Sequence, residues 1–164
     1  MIVIFEDNID GIILNSENIK ISIIGLGYVG LPLYLAFSKF YDVIGFDINS
    51  RRIKELKNFS DHNKQVTEYD FKKLKNVKFT DNKADIADSN IYIITVPTPV
   101  DDNNEPFLDP LISASKLVGL LLKKGDIVIY ESTVFPGATE EICVPNLELN
   151  SNLKYNKDFF CGYS

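Results

Sequence analysis

The sequence predicts a doubly wound α/β fold with a mostly parallel sheet and helices on both faces, and three observations carry that prediction. A short β-branched run, Ile19 to Ile24, ends in the glycine-rich turn Gly25-Leu26-Gly27-Tyr28-Val29-Gly30. Segments of helical period then alternate with apolar runs of strand length up to the last residues. An acidic residue, Asp47, closes the second of those runs about twenty residues beyond the turn.

Each element follows from residue type and spacing. Val29 to Phe40 sets Val29, Leu33, Ala36, Phe37 and Phe40 at helical spacing, and Val43 to Phe46 is a second strand, so strand, helix and strand fit within about thirty residues. A polar, lysine-rich stretch follows, in which Lys54, Lys57, Lys72, Lys73 and Lys75 read as solvated helix faces rather than a nucleic-acid patch. Val77 to Phe79 is a short third strand and Ile91 to Val96 a stronger fourth, stopped by Pro97 and Pro99, which cannot donate to a ladder. From Pro110 to Lys123 the residues Leu111, Ala114, Leu117, Val118, Leu121 and Leu122 share one helical face, with Gly125 beyond it. Ile127 to Tyr130 is a fifth strand, Gly137 to Val144 a helix, and Asp158 to Cys161 opens a sixth strand. Residues 19–164 thus read as one domain. In residues 1–18 the apolar Ile2 to Phe5 meets Glu6, Asp7 and Asp10 with no basic segment ahead, which is not a signal peptide. With Gly11 between two short apolar runs, a small hairpin and a loose amino-terminal arm both fit.

Composition bounds the function. Hydrophobic residues at 45% and charged residues at 24% are those of a water-soluble globular domain, without the long apolar stretch of a membrane span. A formal charge of −6 repels nucleic-acid backbones, so any phosphate must be held by local geometry. Cys143 and Cys161 form neither a disulfide framework nor a metal motif, which fits a reducing cytoplasm; both read as buried packing rather than nucleophiles. His62, between Asp61 and Asn63, reads as a surface histidine, and no metal site is expected.

The glycine turn lies where a strand feeds a helix, the place at which free backbone N–H groups face a dinucleotide pyrophosphate. Gly25 permits the tight turn, Gly27 the approach of the diphosphate, and Gly30 the close packing of helix on sheet, the Rossmann arrangement. The Asp47 carboxylate suits the adenosine ribose hydroxyls and repels an additional phosphate there, which favours NAD over NADP. Arg51 and Arg52 complicate this, because an arginine past the acidic residue can neutralise a ribose phosphate; the plainer reading is a solvated helix start. Val96-Pro97-Thr98-Pro99 and Glu131-Ser132-Thr133-Val134-Phe135-Pro136-Gly137 follow strands four and five, at the sheet edge where ligands bind, and offer the hydroxyls of Thr98, Ser132 and Thr133.

Together with Leu31-Pro32 after the turn and Phe46-Asp47, these motifs resemble the UDP-glucose/GDP-mannose dehydrogenase family from Ile19 onward. Tyr130-Glu131-Ser132-Thr133 and Ala138-Thr139-Glu140-Glu141 are most similar to the branch acting on UDP-N-acetylhexosamines for capsule or O-antigen polysaccharides. The resemblance implies oxidation of a sugar C6 alcohol to a carboxylate with two NAD, through cysteine-bound thiohemiacetal and thioester stages. It implies that the turn with Tyr28 and Val29 holds the diphosphate and Asp47 and Arg52 the adenosine ribose. Pro97, Thr98 and Ser132 then belong to the rest of the cofactor site, and Thr133 helps position a catalytic water near the nicotinamide. Phe159-Phe160-Cys161-Gly162-Tyr163-Ser164 resembles the run leading into the family's Pro-Glu-Arg segment. The expectation is therefore a fragment of a longer, homodimeric, cytoplasmic enzyme, without the catalytic glutamate, lysine, asparagine and cysteine or the central and sugar-binding regions, and inactive alone. UDP-glucose or GDP-mannose as substrate, and a stand-alone NAD-sensing module, are the alternatives.

Overall fold

The structure is a computed structural model and describes residues 3–4, 18–74, 76–99, 106–132 and 137–163. Lys75, residues 133–136 and most of the amino-terminal arm lie outside the described residues. Among the described residues seven strands form one sheet: β1 (Val3–Ile4), β2 (Lys20–Ile24), β3 (Asp42–Phe46), β4 (Phe79–Thr80), β5 (Ile91–Ile94), β6 (Ile127–Tyr130) and β7 (Phe160–Tyr163), in the order β1-β7-β6-β5-β2-β3-β4. Strands β2 to β7 are parallel. Between the two readings left open for the arm, the residues described there are a strand, with Val3 opposite Tyr163 and Ile4 opposite Gly162 in an antiparallel pair on β7.

Period-two alternation divides the parallel strands between two cores. Ile23, Ile91, Ile93, Ile127 and Ile129 pack on one face against Leu31, Tyr34 and Leu35 of α1 (Gly30–Phe37), Ile53 and Leu56 of α2 (Ser50–Lys57) and Phe71 of α3 (Glu68–Lys72). Ile24, Tyr92, Ile94, Val128 and Tyr130 point to the other face, against Leu111, Ala114 and Val118 of α4 (Asp109–Gly119) and Val144 and Leu147 of α5 (Val144–Ser151). A sheet buried on both faces needs apolar residues at consecutive positions, which is why these strands read as continuous isoleucine, valine and tyrosine runs. Each such side chain contributes about 1.5–3 kcal/mol by leaving water.

Several boundaries differ from the sequence expectation. The first helix ends at Phe37, and Phe40 is left 80% exposed past its end. The third strand is Phe79–Thr80, later than Val77 to Phe79, and the sixth is Phe160–Tyr163, later than Asp158 to Cys161. The lysine-rich stretch holds α2 and also α3, whose start is a reciprocal capping box between Thr67 and Asp70. Beyond Gly137 a wide turn of helix at Thr139–Cys143 runs on into α5, which carries Pro145 in its first turn and extends to Ser151. Asn152 closes α5 in the left-handed conformation at φ 58°.

The order of strands places the site. The chain moves outward from β2 to β3 and β4, then returns to add β5 on the opposite side of β2, so a crevice opens at the carboxyl ends of β2 and β5.

Candidate cofactor site

A cleft of about 570 Å³ occupies that crevice. Its floor and one wall are Gly25, Leu26, Gly27, Asp47 and Asn49; Thr95, Val96 and Pro97 follow β5; Phe107, Pro110, Ser113 and Leu117 come from α4 and the residues before it. Sequence reasoning missed the α4 wall, because an amphipathic helix reads only as core-facing, whereas this one also turns Ser113 and the edge of Leu117 to the cleft.

The glycine turn has a specific shape. Gly25 has φ 97°, which side-chain-bearing residues rarely adopt. A Cβ on Gly30 would collide with the Gly25 carbonyl oxygen and the Thr95 hydroxyl, so helix and turn are packed backbone to backbone. Gly27 is different, since a Cβ there would meet nothing within 4 Å. Space is therefore kept in front of Gly27, on the side from which a ligand would come. Leu31 N donates to Gly27 O at 3.2 Å, so the N–H groups of Tyr28, Val29 and Gly30 precede the helical ladder and sit at its positive end. Gly30 is buried; Tyr28 and Val29 have exposed side chains that form no part of the cleft wall. What they offer at the helix mouth is backbone.

Thr95, which the sequence reading passed over as strand, holds this turn. Its hydroxyl lies 2.6 Å from Gly25 O and 3.1 Å from Ile24 O, and it is buried. Asp47 holds it from the other side: Oδ2 accepts from Leu26 N and Oδ1 from Asn49 N, both at 2.9 Å. Each carboxylate oxygen keeps a second lone pair for a hydroxyl in the cleft.

Arg51 is exposed, as a solvated helix start should be, but Arg52 corrects that reading because it is only 4% exposed. Its Nε donates to Leu26 O at 2.9 Å, its Nη1 lies 3.2 Å from Glu55 Oε1 and 3.3 Å from His62 Nδ1, and its Nη2 is 2.8 Å from Asp61 Oδ1. The last contact is an off-axis ion pair rather than an aligned hydrogen bond. Arg52 borders the cleft, and its donors are engaged by Leu26 O, Glu55, His62 and Asp61. Burial would raise the Asp61 carboxyl, but Arg52 and the N–H groups of Gln65 and Val66 outweigh it and hold the group below the ordinary aspartate range. Glu55 is likewise pushed up by burial and pulled further down by His62 and Arg52. His62 has an exposed side chain, as expected, but both its Nδ1 and its backbone N–H contact Glu55.

Among the remaining expected residues, Pro97 lines the cleft and Thr98 is half-buried outside its lining. Ser132 is buried, and its hydroxyl donates to Val96 O at 2.7 Å, so in this structure it ties the loop after β6 to that after β5. Thr133 lies outside the described residues. Cys143 and Cys161 are buried free thiols in the core, and burial pushes the Cys143 thiol up to about 11, the state of an unreactive cysteine. Among the described residues no group of histidine, cysteine and carboxylate side chains could hold a metal, and no helix is long and apolar enough to cross a membrane.

Residues 19–163 match the NAD binding domain of the UDP-glucose/GDP-mannose dehydrogenase family. The chain is 52% identical over 148 residues to UDP-N-acetyl-D-glucosamine 6-dehydrogenase of Pseudomonas aeruginosa and 53% identical over 148 residues to that of Salmonella typhi, covering 90% of this chain and 35% of each relative. The structure of UDP-D-ManNAc dehydrogenase from Pyrococcus horikoshii is similar with a TM-score of 0.81 at 33% identity, covering 88% of this chain and 35% of that one. The chain thus spans about a third of the length of the relatives it matches.

Proposed function

Because the chain belongs to the UDP-glucose/GDP-mannose dehydrogenase family and carries its NAD-binding domain, we propose that it serves a nucleotide-sugar 6-dehydrogenase that oxidises a UDP-N-acetylhexosamine at C6 to its uronic acid. The observation that carries the reading is the cleft itself: a helix mouth with open space before Gly27, beside a carboxylate at the end of β3. The choice of sugar rests on the 52–53% identity to UDP-N-acetyl-D-glucosamine 6-dehydrogenases. The reading carries with it a homodimeric enzyme working in the cytoplasm for surface-polysaccharide synthesis, and the matched relatives are about three times as long as the part this chain covers.

The residues fit NAD, which when bound accepts the hydride from the sugar alcohol. The N–H groups from Gly27 to Gly30 receive the diphosphate at the positive helix end, where no side chain intrudes. Asp47 accepts from the adenosine ribose hydroxyls, Pro97, Thr98 and Ser132 flank the rest of the cofactor, and Thr133 positions a water. Val96, Phe107, Pro110 and Leu117 give the cleft apolar walls, which strengthen polar contacts made against them. Arg52, which borders the cleft, props the turn through Leu26 O and stands with Asp47 at the ribose end.

Calorimetric titration with NAD and separately with NADP tests the reading. Saturable NAD binding is expected, with Asp47→Ala weakening it by about 1–3 kcal/mol. A folded chain that does not bind NAD would overturn it. For the sugar, the full-length enzyme should turn over UDP-N-acetylglucosamine faster than UDP-glucose.

A further inference from the structure

We propose that Asp61 and Glu55 set the cofactor preference at a distance, by cancelling the charge of Arg52 so that no net positive charge underlies the ribose end of the cleft. The inference rests on the NAD-binding reading above and extends it to residues that touch no cofactor.

Arg52 and Asp47 border the same cleft, and a guanidinium at this position is the ordinary means of accepting a ribose phosphate. Here the guanidinium is already paired with carboxylates. The Asp61 side chain is fully buried against it at 2.8 Å, and Glu55, 19% exposed, lies at 3.2 Å. Asp61 cannot swing aside, because its carboxylate also accepts from Asn63 N, Gln65 N and Val66 N and so shapes the whole loop from Asp61 to Val66. Asp61 and Glu55 thus place two carboxylates on one arginine, and Asp47 adds a third along the same cleft. A phosphate entering near Asp47 therefore meets a negative field that Arg52 cannot offset, while an uncharged ribose hydroxyl is unaffected. Arg51, beside Arg52 on α2, is exposed and lines a neighbouring hollow with Asn49, Arg52, Glu55, Ser60 and His62, where water and salt screen it.

The test is the ratio of NADP to NAD dissociation constants in the intact chain, for wild type, Asp61→Asn, Glu55→Gln and Asp61→Glu. Asp61→Asn keeps one of the two acceptor oxygens, enough for the Gln65 and Val66 N–H groups, and removes the charge, and the ratio should fall about tenfold, the scale of one charge acting on a phosphate through partly screened protein. Glu55→Gln should shift it the same way by less, and it checks the idea if Asp61→Asn fails to fold. Asp61→Glu should restore discrimination. Raising salt should shrink the difference between wild type and Asp61→Asn. A merely structural role for Asp61 would weaken both cofactors alike and leave the ratio unmoved, and that result in a folded variant would overturn the proposal. Absence of NAD binding by the wild type would instead defeat the functional reading on which it stands.

Discussion

Thr95 and Ser115 are both buried hydroxyls, but they close on different things. Thr95 reaches the carbonyls of Ile24 and Gly25 at the lip of the cleft, whereas Ser115 pairs with Leu111 O and the Tyr130 hydroxyl, each at 2.8 Å, beneath α4. The same chemistry shapes backbone that faces a ligand in one region and only satisfies polar atoms inside a core in the other. The carboxylates repeat the contrast. Asp61 is drawn below the ordinary aspartate range by Arg52 and loop N–H groups that exceed the effect of burial, while Asp126, 3% exposed near the far end of α4, is raised because burial outweighs the Lys123 N–H and ammonium.

The sharpest test of this contrast lies within the glycine turn. Gly30→Ala places a methyl group on the Gly25 carbonyl, and should cost about 3 kcal/mol in urea unfolding. Retention of the wild-type midpoint would mean that the turn is less tightly packed than described. Gly27→Ala has open space instead, so stability should stay within about 0.5 kcal/mol while NAD affinity drops about tenfold by calorimetry. A variant that loses stability without losing affinity would break the distinction between packing glycine and binding glycine.

The smallest effect separates the two aspartates by sign. Asp61, with its depressed value, adds stability that is complete above the unfolded value of about 3.9 and is lost as pH falls through its folded value. Asp126, with its raised value, subtracts stability at neutral pH, and that cost is relieved as pH falls from the raised value toward about 3.9. Asp126→Asn, whose amide oxygen can still accept from Lys123 N, should therefore stabilise the protein by about 0.5 kcal/mol at pH 7 and by nothing in acid. Asp61→Asn should destabilise it at pH 7 and converge on wild type in acid. Thermal melts across pH would show both, and parallel curves for the two variants would remove the contrast.

The parallel strands and the binding turn were legible because both leave dense local signals: Ile91 to Ile94 and Ile127 to Tyr130 are apolar at every position, and three glycines fall in six residues. What the sequence hid is nonlocal. Arg52 beside Arg51 looks like solvent-facing charge until the chain brings Asp61 back over it. Thr95 continues a β-branched run, so nothing local marks its hydroxyl as the tie to Gly25. The α3 cap was within reach, since Thr67 and Asp70 stand at capping-box spacing, but the surrounding lysines masked it.

The Thr95 tie also imposes an order in time. Gly25 and the hydroxyl that fixes its carbonyl are 70 positions apart, and the turn reaches its final form only when β5 has docked beside β2. During synthesis the ribosome delivers the glycine turn early and its clamp much later. Competence to take a nucleotide is therefore a late event in the life of the nascent chain, following the closure of a long loop rather than the winding of the first helix.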